Sequence, residues 1–412
     1  MTAPLYIALR FATHRKRALL LSLVGVVFGV AIFICTQAQT QGFAQYFINS
    51  TIGSSGAMVL RTKFQPRYEG LAVAAKNTTG ATNRRNYFEG VSNVSEIMRV
   101  SRQFSNVVAC APVLRGNVSA RAGFENASVE IYGIDPASQL KATDLATQII
   151  AGKFDDFSNN TSAVIIGYKL ADFLNVGAGD AIQILSPGGE YWRFTVAAIA
   201  RSGVGTVDLN RVYAHARVAQ RLLKKPYQAS MIIYKLRNPS RAPELANHFE
   251  ELFQHRTESW QEREEGNLQI FFTLQVSAAI TVSLIILLAG FGIFNVLTMS
   301  VLSKVREIAI LRSMGYRRID ISSIFLWQGA LIAGVGSLLG CVLGAVLTWG
   351  ISKVPIHIRG LLYTNHFLVV WDWRHYFWAT LLAVVAVFIA SYVPSQRAAH
   401  LQPVDTLRGS SL

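Results

Sequence analysis

The stretch K-V-R-E-I-A-I-L-R-S-M-G-Y, Lys304–Tyr316, is a short charged segment between two long apolar runs. On a helix its apolar side would carry Ile308, Ile310 and Leu311. Its charged side would carry Lys304, Arg306, Glu307 and Arg312. Gly315 follows, and glycine is the residue that most readily takes the left-handed conformation that ends a helix. The pattern predicts an amphipathic helix that lies at a bilayer surface, where it can pass force to a partner.

Four apolar runs without a charged residue are long enough to cross a membrane, whose hydrocarbon core of ~30 Å needs about 20 helical residues. They are Ala18–Ala38, Ile270–Leu302, Ser322–Ile351 and Tyr376–Val393. The second run would be roughly 50 Å long as a helix, so we expect it to leave the membrane as a stalk. The glutamine-rich stretch Thr36–Asn49 predicts a matching stalk after the first run. A signal peptide is the rival interpretation of the first run, but its apolar core is normally only ~7–15 residues long.

Composition and charge agree with a membrane protein that carries a polar domain. The chain has 412 residues, of which 51% are hydrophobic and 15% charged, and a formal net charge of +15. Residues 41–269 hold 25 Lys/Arg and 20 Asp/Glu, so two thirds of the net charge lies beside the apolar runs. The positive-inside rule explains such flanking charge, which argues against a nucleic-acid partner. The N-terminus, residues 303–321 and the tail hold 11 Lys/Arg against three acids, which predicts that all three are cytoplasmic.

The predicted fold class is an α-helical membrane protein with four transmembrane helices and a mixed α/β extracytoplasmic domain inserted between helices 1 and 2. The predicted order is a cytoplasmic N-terminal segment (1–17), a first span and stalk (18–49), an extracytoplasmic domain (50–268), a second span and stalk (269–302), the charged cytoplasmic segment (303–321), a third span (322–351), an extracytoplasmic loop (352–375), a fourth span (376–393) and a cytoplasmic tail (394–412). Small-x-x-x-small spacing predicts close helix packing at Gly25, Gly29, Gly336, Gly340 and Gly344.

The region predicted to lie outside the membrane has the sequence pattern of an α/β domain with one or two subdomains. Short β-branched runs alternate with turn clusters, and S-P-G-G-E at 186–190 predicts a tight hairpin. Helices are predicted at Tyr168–Leu174, Ala216–Leu223 and Pro243–His255. Residues 65–90 carry an irregular, turn-rich pattern, and the fold of 61–100 stays open.

No catalytic constellation is visible in the sequence. The chain has no G-x-x-x-x-G-K-[ST], H-E-x-x-H or G-x-S-x-G pattern, and its three cysteines are far apart without a C-x-x-C. Its histidines lack carboxylate partners at metal-ligand spacing. We therefore expect no enzyme activity, metal or cofactor in this chain, and an energy source elsewhere.

Three stretches resemble the FtsX/MacB-like permease family of ABC transporters, which has four spans and a large periplasmic domain. V-R-E-I-A-I-L-R-S-M-G-Y (305–316) resembles the coupling helix that touches the ATPase subunit of that family, and P-S-Q-R-A-A-H-L-Q-P-V-D-T-L-R (394–408) resembles its ending. Y-G-I-D-P (132–136) and V-I-I-G-Y-K-L-A-D-F-L-N-V-G-A-G-D (164–180) are similar to the lipoprotein-releasing branch. The short connection at 186–190 departs from some members of that branch, in which an extended hairpin of the outer domain hands cargo to a periplasmic carrier. The resemblance covers most of the chain, with a permease domain over 269–400.

The resemblance implies a permease subunit in the bacterial inner membrane that moves a hydrophobic or lipid-anchored substrate on the periplasmic side. It implies an ABC ATPase dimer that binds ATP and Mg²⁺, a second permease subunit in a homo- or heterodimer, contact with membrane lipids, and a periplasmic adaptor or carrier as a further candidate partner. An efflux permease with an adaptor and a mechanotransmitting regulator are the alternatives. The residues expected to couple to the ATPase are Lys304, Arg306, Glu307, Ile310, Leu311, Arg312 and Gly315. The residues expected along the substrate path are Val30, Phe33, Ile34, Phe291 and Phe294.

Overall fold

A computed structural model of the chain describes residues 16–62, 90–225, 229–355 and 366–400. Most of the N-terminal segment, the irregular stretch 65–90 except its last residue, much of the loop 352–375 and the end of the tail therefore lie outside the described residues. Within them the α-helices are α1 Lys16–Ser55, α2 Val94–Ser101, α3 Pro136–Ala142, α4 Phe154–Asn159, α5 Tyr168–Leu174, α6 Gly205–Asn210, α7 Ala216–Leu222, α8 Ala242–Phe253, α9 Trp260–Arg263, α10 Glu265–Ser303, α11 Val305–Ser313, α12 Arg318–Ser352 and α13 Trp373–Ala399. The strands are β1 Met58–Arg61, β2 Val107–Ala122, β3 Glu125–Ile134, β4 Ile149–Gly152, β5 Ala163–Gly167, β6 Ala181–Leu185, β7 Tyr191–Ala200, β8 Arg211–His215, β9 Met231–Leu236 and β10 Arg256–Ser259.

Four of these helices, α1, α10, α12 and α13, are long and apolar enough to span a membrane, which confirms the predicted number of spans for the described part of the chain. A helix satisfies all its interior backbone groups internally, so it is the form that an apolar segment takes in lipid. Helix α1 ends at Ser55 and α10 begins at Glu265, so both helices continue beyond their apolar runs, as the stalk prediction requires. The fourth span was predicted to end at Val393, and helix α13 extends past that residue. The helix continues through Pro394 to Ala399, because losing one backbone donor does not break a helix whose neighbouring turns are packed.

The membrane helices share one packed core, which contains residues of all four. Val26, Val30, Ile286, Ile332 and Val387 are among its buried members. The outward faces of α10 and α12 carry large exposed side chains, as expected for helices that meet lipid.

Glycines let α1 approach its neighbours closely. A Cβ added at Gly25 or Gly29 would lie 3.2 Å from Ala289 Cβ or 2.9 Å from Ile286 Cγ1 of α10. On α12 the same test places Gly336, Gly340 and Gly344 directly under Val26, Val30 and Ile34 of α1. All five glycines that the spacing selected therefore lie at contacts with α1.

The outer domain, formed by residues 45–268, is built on one mixed sheet of ten strands. The strand order is β10-β1-β9-β2-β3-β8-β5-β7-β4, and β6 pairs with both β2 and β7. The pairs β3/β8 and β5/β7 are parallel, and the other pairs are antiparallel. Strand β2 is long enough to serve three partners, because its first half pairs with β9, its second half with β3, and Ser119–Arg121 with β6. The β6 contacts close a ring of six strands, so the two subdomains considered from the sequence share one continuous sheet.

Several local predictions for this domain are confirmed. Helix α5 has the predicted bounds, and α7 and α8 differ from theirs by one or two residues. S-P-G-G-E joins β6 to β7, whose end residues Leu185 and Tyr191 pair. In the hairpin loop the Ser186 amide donates to the Glu190 carbonyl at 2.9 Å. The loop is therefore short, as the sequence indicated.

Candidate functional site

Helix α11 lies on a platform formed by the membrane helices. Its buried residues are Ile308 and Ala309, and Ile308 packs in a cluster with Val301 of α10, Ile321 and Phe325 of α12, and Ala398 of α13. Leu311 and Tyr316 border the same cluster. A movement of α11 would thus displace the ends of three spans.

The opposite face of α11 is exposed, and it combines charge with apolar groups. Arg306 and Glu307 are exposed, and Ile310 is 47% exposed. The sequence pattern grouped Ile310 with Ile308 and Leu311 on the apolar side of the helix and also among the residues expected to couple to the ATPase. In the structure Ile310 lies on the exposed face, whereas Ile308 and Ala309 are the buried residues of the helix. Met314 and Ile319, at 72% and 79% exposure, extend the apolar part of this surface. The sequence analysis assigned neither residue to this surface: Met314 is the C-cap residue directly after α11, and Ile319 lies beyond Gly315 in the first turn of α12.

The end of α11 is a Schellman motif. Gly315 has φ +98°, its amide donates to the Arg312 carbonyl at 3.1 Å, and the Tyr316 amide donates to the Leu311 carbonyl at 3.2 Å. This is the hydrogen-bond pair that closes a helix through a left-handed glycine. The predicted helix stop at Gly315 is confirmed.

The charged residues of α11 divide between two roles. Glu307 lies in the first turn of α11 and forms an ion pair with Lys304. Its negative charge is favourable there, because the N-terminal end of a helix carries a partial positive charge. Arg312 is half-buried in the last turn, and its Nη1 donates to the carbonyl of Ala399 in α13 at 3.4 Å. Arg312 thus ties α11 to the fourth span, while Arg306 and Glu307 are open to a partner.

The structure does not bring the five expected substrate-path residues onto one surface. Val30 and Ile34 are 0% and 1% exposed, and Phe33 is also buried in the bundle core. Phe291 is 68% exposed and Phe294 is half-buried. In this conformation Val30 and Ile34 pack against Gly340 and Gly344 of α12, and a role in the substrate path stays a prediction for all five residues.

The outer end of α1 is anchored in the domain by two arginines. Arg211 Nη1 donates to the Ser54 carbonyl at 3.1 Å, and its Nη2 donates to Ser55 Oγ at 3.2 Å. Arg263 Nη2 donates to the Gly56 carbonyl at 2.9 Å, and its Nη1 to that of Ser55 at 3.4 Å. Cations at the C-terminal end of a helix satisfy its unpaired carbonyls and offset its dipole. The sequence analysis missed this anchor, because Arg211 and Arg263 lie more than 150 residues from the end of α1 and carry no local signal.

A second contact holds the same helix end. The Asp144 amide donates to the Gly53 carbonyl at 2.9 Å. Nearby, the buried carboxylate of Asp208 accepts from the amide and the hydroxyl of Ser202, at 2.8 and 2.7 Å, which fixes the turn that precedes α6. Burial raises the pKa of Asp208, while the two Ser202 hydrogen bonds oppose the rise. A Cβ on Gly203 in this turn would lie 2.8 Å from both Tyr46 Oη and Ser50 Oγ of α1. The helix end is therefore enclosed on several sides.

Within the described ranges no group of three His, Cys, Asp or Glu side chains is arranged to hold a metal ion. Two structural features stand out instead. The short helix α11 packs on three membrane helices, and the outer end of α1 is hydrogen-bonded to the sheet domain. Together with four membrane helices they define the class of membrane permeases.

Comparison with known proteins identifies the family. A model of the MacB-like periplasmic core domain matches residues 19–252, and a model of the FtsX-like permease C-terminal region matches residues 279–403. Because the first match alone spans more than half of the chain, the chain belongs to this family of ABC transporter permeases.

Curated relatives fall into both branches of the family. The chain is 26% identical over 338 residues to the lipoprotein-releasing system transmembrane protein LolC of Neisseria meningitidis serogroup B, an alignment that covers 76% of this chain and 80% of LolC. It is 23% identical to LolE of Haemophilus influenzae, with 99% of each chain covered. It is 22% identical to the macrolide export ATP-binding/permease protein MacB of Bdellovibrio bacteriovorus, with 94% of this chain but 59% of MacB covered.

Proposed function

We propose that this chain is the permease subunit of an ABC transporter that releases lipid-anchored substrates, such as lipoproteins, on the periplasmic side of the bacterial inner membrane. The main evidence for a coupling role is that α11 has one packed face and one exposed face. One face is seated on α10, α12 and α13, and the other presents Arg306, Glu307, Ile310 and Met314. The lipoprotein assignment is supported by the relatives named LolC and LolE, and by coverage of nearly the whole chain in the LolE alignment.

In this proposal a separate ATPase dimer supplies the energy, since the chain carries no Walker A sequence. ATP and Mg²⁺ bind in that partner, and this chain holds no cofactor. The exposed face of α11 docks in a groove of the ATPase, where Glu307 and Arg306 make charged contacts and Ile310 an apolar one. Arg312 keeps α11 attached to α13 through the Ala399 carbonyl. Closure of the ATPase on ATP then moves α11 and, with it, the packed ends of the spans.

The long helices carry this movement outward. Helix α1 has 40 residues without a break, which is about 60 Å at 1.5 Å per residue. Its outer end is held by Arg211, Arg263 and the backbone around Asp144, so a movement of that helix end is passed to the sheet domain. The chain has its N- and C-termini in the cytoplasm in this proposal, as the distribution of basic residues indicates. A second permease subunit completes the membrane part.

The experiment is purification of the tagged chain from its native membrane, identification of the co-purified ATP-binding protein by mass spectrometry, and reconstitution of the pair in vesicles. Glu307→Lys should leave the free complex able to hydrolyse ATP but remove the stimulation of that activity by substrate, with at least tenfold less substrate released per ATP. The stability of the chain should barely change, because an exposed i,i+3 ion pair contributes only about 0.2–0.5 kcal/mol.

The matched control is Glu244→Lys, the same charge reversal at an exposed position of α8 in the outer domain. It should couple normally. Normal coupling in Glu307→Lys, or equal loss in both variants, would refute the role assigned to α11.

An efflux permease is the second candidate, and the similarity to MacB favours it. The same purification separates the two. Co-purification of a periplasmic adaptor with release of a small molecule would indicate efflux, whereas a bound lipoprotein, carrier or second permease chain would indicate lipoprotein release.

A further inference from the structure

A pocket of about 530 Å³ opens beside the anchored end of α1, entirely within the outer domain. Its size lies in the range of small-molecule sites, which is about 300–1,000 Å³. Its wall is unusually rich in arginine. The arginines that line it are Arg61, Arg115, Arg211 and Arg263.

Two of these arginines have carboxylate partners and two do not. Arg61 Nη1 lies 3.4 Å from Glu258 Oε2, and Arg115 is paired with Glu130. For Arg211 and Arg263, no carboxylate of the described residues comes within ion-pair distance, and their hydrogen bonds go to neutral oxygens at the end of α1 and on Tyr213. The Arg211 guanidinium also lies over the Tyr132 ring, 4.3 Å from its centroid. A guanidinium has five N–H donors, so each of the two retains donors for a further acceptor. Loss of hydration and repulsion from Arg61 lower the pKa of Arg263 to about 10, although Glu264 and Glu258 oppose the fall. Burial alone would also lower the pKa of Arg211, but the attraction of Tyr213, Tyr132 and Glu130 outweighs it, so that pKa is raised instead.

Two further polar groups in the wall lack a partner. Thr51 is 5% exposed, and its Oγ1 has no hydrogen-bond partner among the described residues; the buried Nε of Arg61 has none either. A buried polar group without a partner is costly, about 1–3 kcal/mol, and native proteins rarely leave one unless something binds there. Both groups line the same pocket as Arg211 and Arg263.

We propose that this pocket binds a ligand that carries a phosphate or carboxylate group. The oxyanion accepts hydrogen bonds from the remaining N–H groups of Arg211 and Arg263, from the Thr51 hydroxyl and from Arg61 Nε. A planar guanidinium fork suits such oxygens, and bonds between charged groups are the strongest of their kind. The wall also contains four glutamates, of which Glu130, Glu258 and Glu262 are paired with arginines. Glu264 and the outer oxygens of these pairs would offer acceptors to hydroxyl or amine groups elsewhere on the ligand. Because the same arginines hold the end of α1, occupancy would tighten that helix end in the domain.

The test is calorimetric titration of the full-length chain in a non-ionic detergent, without ATP or any ATPase, so that its outcome is independent of the coupling role. The probes are glycerophosphoethanolamine, inorganic phosphate and succinate. We expect one-site saturable binding of at least one probe. Tightest binding of glycerophosphoethanolamine would indicate a lipid headgroup, equal binding of inorganic phosphate would indicate a free phosphate, and binding of succinate alone would indicate a carboxylate.

Arg263→Gln should weaken that binding about tenfold or more, and Thr51→Val about threefold to tenfold, as expected for the loss of one charged or one neutral hydrogen bond. Thr51→Val removes a hydroxyl with no internal partner, so folding is preserved in that variant even if Arg263→Gln loosens the helix end. Arg193→Gln, the same change at an exposed position of β7 away from the pocket, is the control and should bind normally. Absence of saturable binding of all three probes, or equal affinity of Thr51→Val and the unmodified chain, would overturn the proposal.

Discussion

Two glycines of the same membrane helix provide a sharp test of the bundle core. Gly340 and Gly334 both lie in α12, six residues apart. A Cβ at Gly340 would lie 2.7 Å from Val30 Cβ, 2.9 Å from Val30 Cγ1 and 3.0 Å from the Val27 carbonyl oxygen of α1. At Gly334 the same Cβ meets no atom within 4 Å. Gly340→Ala and Gly334→Ala therefore add one methyl group to the same helix in opposite surroundings.

The expected magnitudes follow from these distances. Apolar carbons normally approach to about 3.5–4.0 Å, so Gly340→Ala requires α1 and α12 to separate by up to about 1 Å. The Cβ of Val30 is fixed to the backbone of α1, so a change of rotamer cannot relieve the contact and the helix itself has to move. Overpacking of this kind costs about 1–3 kcal/mol. The loss should extend to the neighbouring contacts of Gly336 and Gly344, which share the same helix pair. Gly334→Ala should be neutral or stabilising by up to about 1 kcal/mol, since alanine favours a helix over glycine.

The assay is thermal or denaturant unfolding of the purified chain in detergent, with substrate release per ATP measured on the reconstituted complex. Gly340→Ala should unfold more readily than the unmodified chain, and Gly334→Ala should not. If the two variants were equally stable, the close α1/α12 contact through Gly340 would be refuted. If Gly340→Ala were destabilised but fully coupled, the contact would stand as a packing feature alone.

Two further predictions concern the helix stop and the buried aspartate. Gly315→Val should lower the free energy of unfolding by about 1–2 kcal/mol, because a β-branched residue is strained at φ +98°. It should uncouple ATP hydrolysis from substrate release while the chain still inserts, whereas Gly315→Asn should retain most coupling. Equal coupling in the two variants would contradict the role of the Schellman motif. Burial raises the pKa of Asp208 above its ordinary value of 3.8, so the folded chain binds more protons at this group than the unfolded chain, and its contribution to stability falls as pH rises from about 3.8 through the raised pKa. Asp208→Asn should remove that part of the pH dependence, which is measured from unfolding curves of the full chain between about pH 3.5 and 7. If the free energy of unfolding changed with pH equally in the variant and the unmodified chain, the contribution assigned to Asp208 would be refuted.

The candidate site was only partly visible in the sequence. The charged helix and its stop at Gly315 follow from local pattern, because i,i+3 and i,i+4 spacing and a left-handed glycine act within a few residues. The exposure of Ile310 could not be read from the pattern, because the buried side of a nine-residue helix depends on Ile321, Phe325 and Ala398, which belong to other helices. Nor could the hydrogen bond from Arg312 to a carbonyl 87 residues away, and its expected contact with the ATPase stays a prediction. Such partners leave no trace in local sequence.

The sequence alone determined the membrane character of the chain, the number of its spans within the described ranges, and the position of the charged helix between the second and third of them. Hydropathy and chain length decide these features, because a bilayer core requires about 20 apolar residues per crossing. It also indicated the glycine positions of the bundle through their spacing. Only the tertiary structure decided that Val30 and Ile34 fill the space over Gly340 and Gly344, and that Arg211 and Arg263 meet the end of α1 beside an arginine-lined pocket. These contacts join residues far apart in the chain, and only the packing of whole helices and strands brings them within hydrogen-bond or van der Waals distance.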